Sequence, residues 1–293
     1  MATEKQAGAG TTAATPTFPP VRACLFDMDG LLLNTEDIYT QCADIVLHRH
    51  GRPSLPWSLK AKLMGVPGSS NGDVFHEWAR LPISREQYGR EQKEQQRIHF
   101  PECQPLPGVE RLLSNLGRAR TITPGEDGNG RAVQVALATS SEKPNYDLKT
   151  SRPTTRAVLD LIPAAHKVLG DDKRVPKGRG KPAPDIYLVA LQSINDNLPD
   201  CVPKIEPREC LVFEDSVIGV EAGRRAGMRV VWVPHQKLAA EYVGREREVL
   251  AGRLGLVDIG DREQLGELDD GWGKQLGSLE NFPYDMFGIV VPG

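Results

Sequence analysis

Short apolar runs recur along the chain, each bounded by turn or polar residues. Val21–Phe26 (VRACLF), Val133–Thr139 (VQVALAT), Cys210–Phe213 (CLVF) and Arg229–Pro234 (RVVWVP) read as strands, with Lys167–Gly170 (KVLG) a weaker fifth. Runs this short, with apolar residues at consecutive positions, fit a parallel sheet covered on both faces. Between them the period changes. Gly108–Leu116 repeats apolar residues at Val109, Leu112, Leu113 and Leu116, which predicts a helix. A second helix is expected over Val217–Ala226, after Ser216 as N-cap and before Gly227 as its stop. Strand–helix alternation of this kind implies an α/β domain with right-handed crossovers.

The stretch from Asp37 to Phe100 breaks that alternation. It lacks strand signals, and DIYTQCADIVLHRHG, SLKAKLMG, DVFHEWARL and SREQYGREQKEQQRIHF all suit amphipathic helices. The expected division is a tail over 1–20, an α/β core from 21–36 and 104–293, and an all-helical insertion over 37–103. Thr121–Gly130 reads as a turn-rich insertion, and Asn195–Pro207, with three prolines, as a loop. Glu241–Leu268 is highly charged and is expected on the surface, with Leu254–Ile259 able to form a short edge strand. No internal repeat is present.

Composition narrows the class. With 293 residues the chain suits one large domain or two smaller ones, since a single core stops growing at roughly 250–300 residues. Hydrophobic residues at 39% and charged residues at 26% suit a globular protein, and a net charge of −3 is too small to suggest a nucleic-acid or membrane surface. No apolar stretch approaches the ~20 residues of a membrane helix. The N-terminal MATEKQAGAGTTAATPTFPP lacks the apolar centre of a secretory signal, and its Ala, Gly, Thr and Pro content predicts disorder. The five cysteines have neither metal-ligand spacing nor a disulfide framework, which points to a reducing, cytoplasmic setting.

Four places carry candidate chemistry. Asp27 and Asp29 follow an apolar strand, and side chains two residues apart in extended chain point the same way. At the carboxyl end of a strand in an open α/β sheet, paired carboxylates can hold Mg²⁺, and one can attack phosphorus. Asp29-Gly30 also suits a hairpin turn. A calcium loop does not fit, because Leu31 and Leu32 sit where an acid and a glycine belong. Thr139-Ser140-Ser141 ends the second apolar run and suits either a phosphate cradle or a helix cap. Lys181, in GKPAPD, would hold a phosphate's charge if positioned, or be one more surface lysine. Glu214-Asp215 follow CLVF directly, where buried acids need a cation such as a metal, or else favour a helix N-terminus. Taken together, the four sit at strand ends or open a helix, in an order that lets all converge on one crevice.

These motifs resemble the haloacid dehalogenase superfamily of phosphohydrolases. FDMDG (Phe26–Gly30), LATSS (Leu137–Ser141), GKPAPDIY (Gly180–Tyr187) and LVFEDS (Leu211–Ser216) carry the likeness, which covers Val21 to Pro234. The resemblance implies a doubly wound, Rossmann-like parallel sheet with the helical insertion as a mobile cap. It implies Asp27 as nucleophile and Asp29 as general acid, then general base. It implies Thr139, Ser140 and Lys181 as phosphoryl-binding residues. Mg²⁺ would lie on Asp27, the Asp29 carbonyl and Asp215, with Glu214 in or beside the coordination sphere. DMDGLLLNTE, LKTSR (Leu148–Arg152), LGDD, VFED with GVEAGRRAGM, and the ending Met286-Phe287-Gly288 are similar to the pseudouridine 5′-phosphatase-like subgroup. Asn34, where relatives carry Asp, Pro153-Thr154, and the 121–130 insertion depart from the pattern.

The implied activity is hydrolysis of a small phosphomonoester, such as pseudouridine 5′-phosphate or a glycerol or sugar phosphate, by a monomer with neither nucleic acid nor membrane as partner. A sugar-phosphate mutase keeps the same core residues and is the alternative. Dehalogenase chemistry is disfavoured by Asp29, and a non-catalytic binding role by retention of all four motifs. His48, Arg49, His50 and Arg52 are candidates for substrate contact in the insertion, or simply a solvated helix end.

Overall fold

The computed structural model describes residues 18–64, 68–121 and 130–293. The N-terminal tail, apart from 18–20, and most of the 121–130 insertion lie outside the described residues. Residues 18–20 are packed rather than free: Phe18 meets Trp272 edge-on at 5.7 Å, and the Pro19 carbonyl accepts from the Arg229 guanidinium at 2.6 Å.

The expected apolar runs form β1 (Ala23–Phe26), β4 (Gln134–Ala138), β5 (Lys167–Val168), β6 (Cys210–Glu214) and β7 (Arg229–Trp232). With β8 (Gly273–Gln275) they make a six-stranded sheet in the order β5-β4-β1-β6-β7-β8, every neighbouring pair parallel. β2 (Arg120–Thr121), β3 (Arg131–Ala132) and β9 (Ile289–Val290) form a small antiparallel sheet. The edge strand is therefore Gly273–Gln275; Leu254–Ile259 is irregular. β8 is held to β7 by backbone pairing, with no apolar pattern to announce it.

Alternate residues of the sheet feed two cores. Cys24, Phe26, Val135, Leu137, Leu211 and Phe213 face the helix α5 (Val109–Arg118) and the C-terminal Phe282 and Phe287. Ala23, Leu25, Ala136, Val212, Val230 and Trp232 face α8 (Asp185–Asp196) and α9 (Val217–Arg225). α6 (Lys143–Lys149) and α7 (Pro153–Leu159) follow β4, and Pro153 sits in the first turn of α7, where its missing N–H costs nothing. α10 (Gln236–Glu241) and α11 (Glu246–Leu250) lie in the charged C-terminal third.

Residues 35–99 form four helices, α1 (Thr35–Arg49), α2 (Trp57–Leu63), α3 (Gly68–Ala79) and α4 (Arg85–His99). They have a core of their own, built on Val46, Leu47, Phe75, Ala79 and Tyr88. Asn34 marks where the chain leaves the α/β body and Gln104 where it returns. The Asn34 N–H donates to the Gln104 carbonyl at 3.0 Å, and the Gln104 N–H donates to Asn34 Oδ1 at 2.8 Å. An amide oxygen makes the contact that an aspartate would, so the departure at Asn34 preserves it. α2 also docks on α10, with Trp57 stacked on His235 at 4.6 Å.

Phe26 and Phe213 stack at 4.4 Å in the centre of the sheet, both fully buried. Phe213→Ala is expected to lower stability by about 3–5 kcal/mol through the cavity it leaves. Urea unfolding with an unchanged m-value would measure this, and a loss below about 1 kcal/mol would contradict the packing described.

Candidate functional site

The chain reverses direction across the sheet at β1, which has β4 on one side and β6 on the other. Such a switch point opens a crevice at the carboxyl ends of the strands. Phe26 pairs with both Leu137 and Phe213. Asp27 follows that rung by one residue, Thr139 and Asp215 by two, so all three emerge at one end of the sheet.

Asp27 continues the β1–β6 pairing through its N–H, which donates to the Phe213 carbonyl at 3.0 Å. Its carboxylate is buried and accepts from the Lys181 ammonium at 2.5 Å. The same ammonium donates to Glu214 Oε1 at 2.6 Å, and Lys181 is itself only 3% exposed. Glu214 is held in turn. The Tyr187 hydroxyl donates to Oε1 at 2.6 Å, while the Ser216 N–H and hydroxyl donate to Oε2 at 3.2 and 3.0 Å. Ser216 also caps α9, accepting from the Gly219 N–H at 3.1 Å. A Cβ at Gly219 would fall 1.9 Å from the Glu214 carboxyl, so only glycine permits this approach.

Asp27, Glu214 and Asp215 each present an oxygen within 4.8 Å of the others. With one ammonium among three carboxylates, the ionised cluster carries two excess negative charges, which a divalent cation would balance. The buried Asp215 Oδ2 has no hydrogen-bond partner among the described residues. Asp27 and Asp215 therefore fit a hard cation such as Mg²⁺, which takes carboxylate oxygens. Both oxygens of Glu214 already accept from protein donors, the Lys181 ammonium among them. Burial pushes the Asp27 carboxyl up to about 7, against the opposing pull of Lys181. Burial raises Asp215 well above the carboxylate range, and the nearby Glu36, Glu214 and Asp27 add to it.

Asp29 faces elsewhere. Its Oδ2 accepts from the Ser141 hydroxyl at 2.6 Å and its Oδ1 from the Lys149 ammonium at 2.5 Å. Burial alone would raise this carboxyl, but the Lys149 charge and hydrogen bonds from Lys149, Ser141 and Thr35 hold it below the usual range. Its carboxylate stands apart from the Asp27–Glu214–Asp215 group. The chain does turn at Gly30 (φ +75°), whose N–H donates to the Leu33 carbonyl at 3.0 Å and to Thr35 Oγ1 at 2.9 Å. The turn leads into α1 rather than into an antiparallel strand, so the hairpin alternative does not hold. A Cβ at Gly30 would fall 2.2 Å from Asp215 Oδ2.

Thr139 is buried, and its hydroxyl accepts from the Ser141 N–H at 3.1 Å, the local bond of a turn. Ser140 is exposed at the end of β4. The cluster His48, Arg49, His50 and Arg52 lies at the far end of α1, about 20 Å from Thr35 at the usual rise per residue. Arg49 and His50 contact Glu91 at 3.1 and 3.0 Å, His48 contacts Ser54, and Arg52 the Arg80 carbonyl. The solvated-end alternative describes them. Lys149, Ser141 and Tyr187 are site residues that the motif reading did not single out. Each lies inside a quoted tract, but only the fold shows which way its side chain turns.

Known proteins resemble this chain. The family model for haloacid dehalogenase-like hydrolase matches residues 21–227. A probable pseudouridine-5′-phosphatase of Saccharomyces cerevisiae is 39% identical, covering 92% of this chain and 98% of its own. The (DL)-glycerol-3-phosphatase 1 of Arabidopsis thaliana is 35% identical over 78% of this chain and 70% of its own. The crystal structure of CbbY from Rhodobacter sphaeroides with phosphate superposes with a TM-score of 0.56 at 19% identity, over 90% of this chain and 96% of that one, which is a likeness of fold. The chain belongs to the haloacid dehalogenase-like hydrolase family.

Proposed function

We propose that this enzyme is a Mg²⁺-dependent phosphatase that hydrolyses a small phosphomonoester through an aspartyl-phosphate on Asp27. The observation that carries the reading is the buried Asp27–Lys181–Glu214 chain beside the unpartnered Asp215 oxygen. Asp29 rests ionised beside Lys149, so the proton it hands on arrives with the monoanionic ester: Asp29 takes it up and gives it to the departing oxygen as Asp27 attacks phosphorus. Asp29 then takes a proton from the water that hydrolyses the acyl phosphate and releases it with the phosphate, restoring both residues. Lys181, with Thr139 and Ser140 at the end of β4, holds the phosphoryl oxygens as their charge develops. Asp27, the Asp29 carbonyl and Asp215 would hold Mg²⁺, with Glu214 behind Lys181. When bound, the ion supplies neutralising charge to the anionic nucleophile and phosphoryl group. The helical insertion over 37–103 serves as the cap, excluding water from the first step and choosing the substrate. Pseudouridine 5′-phosphate is the first candidate substrate and glycerol 3-phosphate the second, because relatives named for these activities share 39% and 35% identity. In this reading a monomer works on the metabolite in the cytoplasm.

Asp27→Asn is expected to abolish phosphate release from a phosphomonoester panel that includes both candidates, with the thermal melt retained. Turnover near wild type in that variant would reject Asp27 as nucleophile. Asp29→Ala should lower kcat by about 10²–10⁴-fold, the usual scale for general acid–base catalysis.

The metal reading has a test that needs no substrate. Between 3.8, the ordinary value, and about 7, the folded metal-free protein holds a proton on Asp27 more readily than the unfolded chain does. Lowering pH through that window therefore stabilises the metal-free protein, and raising it withdraws that stability. Mg²⁺ binds the ionised carboxylates, so its increment in Tm should be larger at about pH 8 than at about pH 5.5. An increment independent of pH, or one retained in Asp215→Asn, would overturn the assignment. Chelation should also silence turnover.

A further inference from the structure

Lys149 has no exposed surface. Its ammonium donates to Asp29 Oδ1 at 2.5 Å, to the Ser141 hydroxyl at 2.7 Å and to the Tyr39 hydroxyl at 2.8 Å. It also sits 4.6 Å over the Tyr39 ring and 4.8 Å over the Phe100 ring. Three ammonium protons thus meet three acceptors. Packing alone calls for no charge here, since an unbranched apolar side chain would fill the space between the two rings. A buried ammonium costs several kcal/mol unless partnered, so the group that makes its presence worthwhile is the carboxylate.

Ser141 closes the arrangement. Its hydroxyl accepts from Lys149 and donates to Asp29 Oδ2 at 2.6 Å. Asp29, Lys149 and Ser141 form a ring in which each carboxylate oxygen has its own donor and the donors bind each other. A carboxyl group gripped at both oxygens has one plane. The Thr35 side chain is a third donor, so of the carboxylate's four lone pairs one is left for a proton in transit. Tyr39 belongs to α1, so the ring also touches the first helix of the insertion.

We propose that Lys149, together with Ser141, is the positioning residue for Asp29, fixing the plane of its carboxyl group so that the free lone pair addresses the departing oxygen and then the incoming water. The assignment rests on the proton-transfer role of Asp29 given above. It makes the site two ammonium–carboxylate units side by side. Lys181 serves the nucleophile, and Lys149 serves the group that moves the proton. Lys149 touches no reacting atom, so its contribution passes wholly through Asp29.

A double-mutant cycle tests this. Lys149→Met, Asp29→Ala and the double variant are compared on whichever phosphomonoester of the panel is turned over fastest. Lys149→Met should lower kcat by about 10–100-fold with KM within about threefold. In the Asp29→Ala background it should change kcat by less than about twofold, because nothing is left to position. If the losses multiply in the double variant, if kcat is unchanged in Lys149→Met, or if only KM moves, the proposal is overturned while the role of Asp29 stands. If Asp29→Ala itself keeps wild-type kcat, the acid–base reading fails first. Should Lys149→Met not fold by circular dichroism, Ser141→Ala removes one hydroxyl from the ring and decides the matter. It should cost about tenfold in kcat in the wild-type background and nothing further in Asp29→Ala, and a multiplicative loss would overturn the proposal.

Discussion

Like charges crowd the end of β1, and the rest of the site is arranged to make that tolerable. Three buried carboxylates from Asp27, Glu214 and Asp215 cluster about the ammonium of Lys181. Two buried carboxylates this close repel strongly unless a cation stands between them. Lys181 stands between Asp27 and Glu214, and its position depends on Glu214 being unable to move. Tyr187, Ser216 and the capped start of α9 fix Glu214. The chemistry at Asp27 therefore rests on a chain of contacts running back into a helix cap.

The sheet supplies the convergence. Because β1 lies between β4 and β6, residues separated by more than a hundred positions in the chain leave the sheet at one edge. The insertion has a small core of its own and is joined to the body at Asn34–Gln104 and through the Trp57–His235 stack. α1 also sends Ile38 and Cys42 into the core on one side of the sheet, α2 sends Ala61 and Met64 into the core on the other, and Lys149 reaches Tyr39.

The parts of this arrangement visible in the sequence are those with a local signature. β1, β4, β6 and β7 are covered on both faces, so they appear as unbroken apolar runs. Asp27, Thr139, Lys181 and Glu214-Asp215 are visible because each follows such a run or opens a helix. β8 is not visible, since GKQ joins the sheet through backbone hydrogen bonds that leave no mark on side-chain type. The apolar residues of Leu254–Ile259 suggested an edge strand, yet they pack as a loop while Gly273–Gln275 takes the edge. Lys149 escaped notice for a related reason. In Leu148-Lys149-Thr150-Ser151-Arg152 it reads as a helix-end lysine, and only the placement of α6 against Phe100 and Tyr39 turns it inward.

Gly219 shows how far the reactive centre extends. It has no functional group, yet its single hydrogen is all the clearance that Glu214 has. A methyl there would shift a carboxylate, the carboxylate would release an ammonium, and the ammonium would no longer neutralise Asp27. The placing of these charges is thus set partly by steric room at a backbone position. A variant there would present as a chemical defect although nothing chemical had been removed.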